Sequence, residues 1–325
     1  MTQRGLFDGP LSLEAGEHLL CEGDAVDVCA ALPDDVRFDL VYLDPPFAIG
    51  GTMSMREKTG EARGRKHKQS GRDAYGDPAD VDALVAHLDA RLALVRERMR
   101  EEAALFLHLD WRAVHEVKVA ADRIFGRRAF AGEVVWTPNN GSRGKRALSV
   151  THQTILVYAT EDRKKLRFDY SHPMLREPYA ETSLSMHFTN VDDEGRRYRE
   201  RTISGKTYRY YADEGRRIGS VWTDAPAMVA NTPLLREGTG YPTQKPERLL
   251  ERIVRASSRE GDTVADLMCG SGTTLVVAAR LGRRFIGGDI GSAAIEVTRA
   301  RLASENVSYR FTVFNQAASA NLVPR

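Results

Sequence analysis

Hydrophobic positions follow two alternating spacings over the first 136 residues of the chain. Short apolar runs of strand length lie at 18–24, 38–43, 103–109 and 130–136. Between these runs, apolar residues recur every three or four positions, which is the spacing of one helical face, at 25–32, 80–102 and 112–125. Regular alternation of strand and helix predicts an α/β fold built on a parallel sheet.

The alternation weakens between residues 137 and 240 and then resumes. The second series predicts helices at 246–258, 275–281 and 292–303, strands at 263–267 and 284–289, and a glycine-rich turn at 269–274. This C-terminal unit has too few strands to bury both faces of a sheet. We therefore expect it to complete its sheet with the strands that precede residue 137, so that one sheet domain is interrupted by an insert.

Composition agrees with a globular chain, since 42% of its 325 residues are hydrophobic and 28% are charged. No apolar run approaches the roughly 18 residues of a membrane span, and no signal pattern opens the chain, so we expect a cytoplasmic protein. Three scattered cysteines predict neither a disulfide framework nor a zinc site. The predicted units are 1–136, 137–240 and 241–316, followed by a tail at 317–325 that resembles a vector-derived protease site.

The formal net charge of +2 conceals two basic segments. Residues 56–72, predicted to be a mobile loop, and residues 137–220 each carry a balance of +5, so the remainder carries −8. Clustered Lys and Arg favour contact with nucleic-acid phosphates. The candidate DNA-contacting residues are Arg63, Arg65, Lys66, Lys68, Asn139, Asn140, Arg143, Lys145 and Arg146, with Tyr198, Tyr208, Tyr210 and Tyr211 placed among further arginines.

A glycine-rich loop lies between a predicted strand and a predicted helix, at 266–274. Glycine lets a ligand approach the backbone, and the N-terminus of the following helix offers N–H groups to an anion. Asp289 ends the next predicted strand, where a carboxylate can accept from the hydroxyls of a ribose. The loop lacks the full GxGxxG of dinucleotide sites and the GxxxxGK[ST] of ATP sites, so it predicts a site for a single nucleoside.

A second motif, Asp44-Pro45-Pro46-Phe47, follows the buried strand at 38–43. Ligands of open α/β sheets bind at the carboxyl ends of the strands, which is where this motif lies. The Asp44 carboxylate and the Pro45 carbonyl provide two neighbouring acceptors, which suit the two protons of a planar amino group. Phe47 adds an aromatic face on which a base can stack.

In their order, these motifs resemble the beta group of DNA amino-methyltransferases from bacterial restriction-modification and orphan systems. The resemblance covers about 18–136 and 241–315, including Pro242-Thr243-Gln244-Lys245-Pro246. It implies a Rossmann-like methyltransferase sheet with helices on both faces and a circularly permuted order. It also implies that the insert at 137–240 is a target recognition region.

The resemblance implies S-adenosylmethionine as the methyl donor and double-stranded DNA as the partner. Asp44, Pro45, Pro46 and Phe47 would hold the target base, although Tyr is commoner than Phe at the last position. The implied cofactor residues are Asp24, Thr243, Gln244, Lys245, Asp266, Met268, Cys269, Gly270, Ser271, Gly272, Thr273, Thr274 and Asp289. Neither a metal nor a membrane is expected. The oligomeric state stays open, although dimers are common in this group and a homodimer is the alternative to a monomer.

The expected reaction is in-line methyl transfer to the exocyclic N6 of an adenine flipped out of the duplex. An initial Asp favours adenine in this family, but cytosine-N4 methylation stays open as the nearest alternative. RNA or protein-glutamine methylation is more distant, because the basic insert favours DNA. A catalytically silent DNA-binding regulator on the same fold is the alternative from a different functional class.

Overall fold

We analysed a computed structural model that describes residues 11–48, 50–56, 69–138, 148–227 and 237–314. Its helices are α1 (Ala25–Ala31), α2 (Val81–Arg98), α3 (Val114–Phe125), α4 (Glu181–His187), α5 (Glu247–Ser257), α6 (Thr273–Arg280) and α7 (Ser292–Ser304). The strands up to the middle of the chain are β1 (Leu19–Glu22), β2 (Phe38–Leu43), β3 (Gly51–Arg56), β4 (Gln69–Asp77), β5 (Met99–Leu109), β6 (Phe130–Trp136), β7 (Gln153–Ala159) and β8 (Arg176–Glu177). The later strands are β9 (Asn190–Val191), β10 (Arg197–Ile203), β11 (Lys206–Tyr211), β12 (Arg216–Arg217), β13 (Val221–Trp222), β14 (Thr263–Asp266), β15 (Arg284–Asp289) and β16 (Arg310–Val313).

A nine-stranded sheet in the order β13-β6-β7-β5-β2-β14-β15-β1-β16 forms the centre of the fold. Its strand pairs are parallel except those of β7, which runs antiparallel to both β5 and β6. Strands from the N-terminal and C-terminal parts of the chain alternate in this order, because β14 and β15 lie between β2 and β1. The predicted joining of the two halves into one permuted α/β sheet is therefore confirmed.

Helices cover both faces of the sheet, as predicted. Buried side chains of α1, α2 and α3 pack with one core cluster, and those of α5, α6 and α7 pack with the other. Strand β5 supplies both clusters in alternation: Leu105 and Leu107 face the first, and Phe106 faces the second. This arrangement explains why the central strands are continuously apolar in sequence, since a strand buried on both faces has no solvent side.

Helix α2 ends at Arg98, four residues before the predicted end at 102, and the expectation for 99–102 was wrong. The chain turns extended at Met99, which pairs with Phe38 of β2 and is buried. An apolar residue at position 99 continues the helical spacing equally well. The sheet decides the boundary, because strand pairing satisfies the backbone groups that the helix would otherwise have used.

The predicted mobile loop at 56–72 was wrong at both of its ends. Strands β3 and β4 form an antiparallel hairpin in which Arg56 pairs with Gln69, and the segment 57–68 between them lies outside the described residues. The hairpin packs on α7 through Ala74, which belongs to a small cluster with Tyr241 and Ala294. Charge and glycine content thus missed the paired strands on both sides of the segment 57–68.

The region between 137 and 240 contributes directly to the central sheet. Strand β7 fills the position between β5 and β6, and β13 extends the sheet beyond β6. The sheet edge therefore does not coincide with the predicted boundary after residue 136. The remainder of this region contains α4 and two small antiparallel sheets, β9–β10–β11 and β8–β12.

Removing a buried side chain from α2 tests the packing of this helix on the sheet. Leu92 is fully buried in the first core cluster, whereas Leu148 is 97% exposed. We expect Leu92→Ala to lower the free energy of unfolding by about 2–5 kcal/mol, because it removes apolar contact and leaves a cavity. The matched Leu148→Ala should stay within about 0.5 kcal/mol of the parent chain in urea unfolding. Equal effects of the two substitutions would contradict the packing described here.

Candidate active site

Both sequence motifs open into one cavity at the carboxyl ends of β2 and β14. These strands are parallel neighbours, with Leu40 beside Val264 and Val41 beside Ala265. The chain leaves β14 through α6 on one face of the sheet and leaves β2 towards α2 on the other, so a crevice opens between them. Ligands of α/β sheets bind at such switch points. The cavity here has a volume of about 280 Å³.

The Asp44–Phe47 motif forms one wall of the cavity. The ammonium group of Lys245 contacts Asp44 Oδ2, and it lies 5.2 Å from the centroid of the Phe47 ring. The other oxygen, Asp44 Oδ1, is buried and has no hydrogen-bond partner among the described residues. The motif thus presents one occupied and one free acceptor beside an aromatic face. The Lys245 ammonium therefore contacts the same carboxylate that the sequence motif assigns to the amino group of a base.

Burial and the neighbouring ammonium act on the Asp44 carboxyl in opposite directions. Burial raises the pKa of Asp44, and the hydrogen-bonded Lys245 opposes that rise. Only 6% of the Lys245 side chain and 18% of the Asp44 side chain are exposed. A buried carboxylate needs such a partner, because an unpaired charge in this environment is strongly destabilised.

A buried hydrogen-bonded chain supports the motif from behind, and no pattern in the sequence indicated it. The Tyr42 hydroxyl lies 2.7 Å from His108 Nδ1, and His108 Nε2 lies 2.8 Å from Gln153 Oε1. Burial and then the charge of Lys245 hold the pKa of His108 well below its usual range, so the ring is neutral. We infer that Nε2 carries the proton and that Nδ1 accepts from Tyr42, because an amide oxygen accepts only.

The glycine loop forms the opposite wall and begins α6. Gly270 and Gly272 have φ values of 51° and 72°, a region that residues with a Cβ rarely adopt. A Cβ on Gly272 would lie 2.5 Å from Thr298 Oγ1, and one on Gly270 would lie 3.2 Å from the Tyr241 ring. Thr273 joins the two walls, because its hydroxyl donates to the Lys245 carbonyl over 3.2 Å.

Two carboxyl groups, Asp266 and Asp289, lie buried at the base of this loop. Asp289 accepts from the backbone N–H groups of Gly270 and Gly291 at 2.9 and 2.8 Å, and Asp266 accepts from that of Met268 at 3.3 Å. Burial is the main cause that raises the pKa of Asp266 to about 7 and that of Asp289 to about 6. Both groups therefore titrate close to neutral pH.

Asp24 and Gln244 are already engaged by neighbouring groups. Asp24 accepts from Val26 N at 2.8 Å as the N-cap of α1, and its other oxygen contacts Arg91. Gln244 accepts from both the backbone and the hydroxyl of Thr239 and donates to the Glu237 carbonyl. Gln244 consequently fixes the 237–245 segment, while Asp24 positions the start of α1 at the cavity.

The structure brings the predicted base and cofactor residues to this cavity, which all of them line except Gly272. The nine predicted DNA-contacting residues, from Arg63 to Arg146, lie outside the described residues, as does the tail at 317–325. Sequence reasoning missed lining residues that come from α2, the β4 hairpin and position 241, namely Tyr75, His87, Arg91 and Tyr241. Tyr75 and Tyr241 stack with ring centroids 6.3 Å apart. Only helical spacing marked α2, and nothing in that spacing indicated that His87 and Arg91 face a cavity.

The donors and the shape of the cavity fit a nucleoside that carries an amino-acid group. The glycine loop and the N-terminus of α6 let a ligand approach the backbone closely. The Asp289 carboxylate suits the hydroxyls of a ribose, and the Lys245 ammonium suits a carboxylate. In the part of the chain that the structure describes, no group of three or more His, Cys, Asp and Glu is arranged to bind a metal ion. No described helix is long and apolar enough to cross a bilayer.

Comparison with known proteins gives a consistent result. The model of the N6/N4 DNA methylase family matches residues 38–300. The DNA adenine methyltransferase YhdJ of Escherichia coli K12 is 48% identical over 284 residues, which cover 87% of this chain and 82% of YhdJ.

Solved structures agree at the level of the fold. TTHA0409 of Thermus thermophilus, complexed with S-adenosyl-L-methionine, aligns with a TM-score of 0.53 at 19% identity, covering 92% of this chain and all of that one. The cytosine-N4-specific PvuII DNA methyltransferase aligns with a TM-score of 0.55 at 14% identity, covering 90% of this chain and 88% of its own.

If Asp289 accepts from the ribose hydroxyls, binding of S-adenosylhomocysteine should weaken about tenfold between pH 7 and pH 5, because protonation of Asp289 weakens those charge-assisted hydrogen bonds. The stability of the unliganded fold changes with pH in the opposite direction. Because the pKa of Asp289 is raised in the folded state, protonation of this carboxyl stabilises the fold at low pH, and this contribution is lost as pH rises through about 6. Titration calorimetry of the parent and Asp289→Asn measures the first effect. An identical pH dependence in both proteins would exclude Asp289 as its source.

Breaking the buried Lys245–Asp44 pair should destabilise the fold. Lys245→Met leaves a buried carboxylate unpaired and should lower the free energy of unfolding by about 3 kcal/mol. Combining it with Asp44→Asn should lower the free energy by less than the sum of the two single substitutions, because neither unpaired charge then remains. Urea unfolding of the four proteins measures this coupling, and strictly additive values would show that the pair does not act as a unit.

Proposed function

The chain belongs to the N6/N4 DNA methylase family, and we propose that it transfers a methyl group from S-adenosylmethionine to the N6 of adenine in double-stranded DNA. The observation that carries this proposal is the meeting of two motifs in one cavity. The Asp44–Phe47 acceptor and the glycine loop of β14 are distant in sequence and share a single crevice. A base amine and a nucleoside donor held there would lie next to each other.

Adenine is favoured over cytosine on two grounds. The relative at 48% identity, which aligns over most of both chains, is a DNA adenine methyltransferase. The acceptor motif begins with Asp44, and an initial Asp favours adenine in this family. The likeness to the cytosine-N4-specific PvuII enzyme, at 14% identity, concerns the fold alone. Cytosine-N4 methylation is thus the alternative that the experiment below distinguishes.

The free oxygen of Asp44 is well placed to receive the target amine. Asp44 Oδ1 is buried without a partner among the described residues, so an amino proton can satisfy it. The carbonyl of Pro45 is the second acceptor in the proposal, and Phe47, which is 7% exposed, is the stacking face. Bonding both amino protons to fixed acceptors favours a pyramidal nitrogen and frees its lone pair for attack.

When bound, S-adenosylmethionine supplies an electrophilic sulfonium methyl group. In the proposal, Asp289 accepts from the ribose hydroxyls, Lys245 and Thr243 lie near the amino-acid carboxylate, and Asp24 lies near the adenine ring. The loop residues from Asp266 to Thr274 surround the amino-acid portion. These roles are the ones that the family resemblance implies, and all of these residues except Gly272 line the cavity.

Asp44 also stabilises the charge that develops during transfer. The attacking nitrogen becomes positive, and a fixed carboxylate in a poorly solvated site stabilises that charge more strongly than water does. The Phe47 ring, which already faces the Lys245 ammonium, stabilises a cation in the same place. The methylated amine then releases a proton, which the Asp44 carboxylate can accept.

We further propose that the basic segments between β3 and β4 and within 137–240 contact the DNA. The first segment follows on from the paired stem of β3 and β4, in which Tyr75 lines the cavity and Ala74 packs on α7. We propose that the second segment, outside the two strands that it contributes to the sheet, is the target recognition region. A cationic surface next to the cavity would hold the duplex while one base enters it.

Expression in a host that lacks DNA methylation tests the function directly. We expect N6-methyladenine at one recurrent sequence in the genomic DNA, read by modification-sensitive sequencing. Asp44→Ala should reduce methylation by at least about 10²- to 10³-fold while S-adenosylhomocysteine binding persists. The exposed Asp82→Ala on α2 is the matched control and should retain full activity. N4-methylcytosine would support the alternative, and unmodified DNA would refute the proposal.

A further inference from the structure

The two-stranded ribbon of β10 and β11 is an exposed feature of the 137–240 region. Its strands pair from Tyr198–Tyr211 to Ile203–Lys206. Ser204 and Gly205 join them with φ values of 50° and 77°. A two-residue turn with both φ values positive matches the right-handed twist of the strands, so it fixes the pairing of the ribbon up to its tip.

Outer residues of this ribbon are exposed on both of its faces, from position 200 to position 209. An isolated two-stranded hairpin in water is marginally stable. Its stem gains support from α4, because Arg197 donates to the carbonyls of Leu184 and Phe188 at 2.6 and 3.0 Å. The exposed side chains near the tip are therefore accessible to a partner.

One face of the ribbon is electrically neutral. Its cross-strand pairs are Tyr198–Tyr211, Glu200–Arg209 and Thr202–Thr207. Arg209 bonds Glu200 at 3.0 Å and lies 4.0 Å from the Tyr198 ring centroid. At the stem, Arg196 lies over Tyr211 and bonds Asp213 at 2.9 Å. We call this surface the neutral face, because each of its cations has a carboxylate partner.

The opposite face carries cations without carboxylates. Its pairs are Arg199–Tyr210, Arg201–Tyr208 and Ile203–Lys206. Near the stem, Arg199 packs against the rings of Tyr179, Phe188 and Tyr210 at 5.0–5.6 Å. Near the tip, Tyr208 is 40% exposed and Ile203 is 52% exposed. We call this surface the cationic face, since no Asp or Glu occupies a position on it.

We propose that the cationic face of the β10–β11 ribbon docks in the major groove of double-stranded DNA, with Arg201 and Lys206 on phosphates or base edges. This inference rests on the proposed function. The major groove admits a two-stranded antiparallel ribbon, and Lys and Arg without carboxylate partners retain their full attraction for phosphates. Tyr208 lies directly opposite Arg201, so an aromatic ring and a guanidinium enter together.

Removing two cations from each face in turn tests the proposal, because the two double variants have the same net charge as each other. Arg201→Gln/Lys206→Gln alters the cationic face, and Arg196→Gln/Arg209→Gln alters the neutral face. Affinity for a mixed-sequence DNA duplex is measured by fluorescence anisotropy at several salt concentrations. The plot of log affinity against log salt has a negative slope. We expect the cationic-face substitutions to reduce the magnitude of this slope by about two, and the neutral-face substitutions to leave it nearly unchanged.

Several readouts separate this proposal from a folding defect and from the proposed function. Unchanged S-adenosylhomocysteine binding shows that each variant is folded, and a conservative Arg201→Lys/Lys206→Arg exchange should preserve the salt slope. Equal losses from both faces, or no loss from the cationic face, would overturn the docking assignment. If the cationic-face substitutions left DNA affinity unchanged, the result would indicate an acidic protein surface as the partner of this face. Neither result depends on methyl transfer, whereas unmodified genomic DNA would refute the function itself.

Discussion

The parallel pairing of β2 with β14 is the constraint on which the rest of the structure depends. It places the carboxyl ends of two strands side by side, although 219 residues lie between Leu43 and Thr263. The chain leaves the two strands towards opposite faces, so the crevice between them is open. The acceptor motif and the glycine loop therefore share one cavity because of the strand order, and not because they attract each other directly.

Electrostatics in this cavity are set by burial. Asp44, Asp266 and Asp289 all have raised pKa values whose main cause is desolvation. Their charges are compensated in two ways: Lys245 pairs with Asp44, whereas backbone N–H groups bond Asp266 and Asp289. Among the described residues, Asp44 Oδ1 is buried without a hydrogen-bond partner, while Asp44 Oδ2 contacts the Lys245 ammonium. A buried polar atom of this kind is a natural position for a substrate donor.

The proposed DNA contacts belong to two further parts of the chain. The β3–β4 hairpin follows the acceptor motif immediately, and its stem packs on α7 while its Tyr75 stacks on Tyr241. Within the 137–240 region, the β10–β11 ribbon separates paired from unpaired cations on its two faces. This separation follows from the alternation of side chains along each strand, because successive residues of a strand point to opposite faces.

The sequence by itself determined the α/β class, the permuted joining of its halves and the motifs that the cavity collects, because these depend on local apolar spacing and on rare residue combinations. Tertiary structure decided the end of α2 at Arg98, the hairpin stems around 57–68 and the placement of β7 within the sheet. It also decided that Lys245 meets Asp44 and that His108 supports Tyr42. Strand pairing and side-chain contact at long range depend on which surfaces become buried together, and no spacing along the chain encodes that choice.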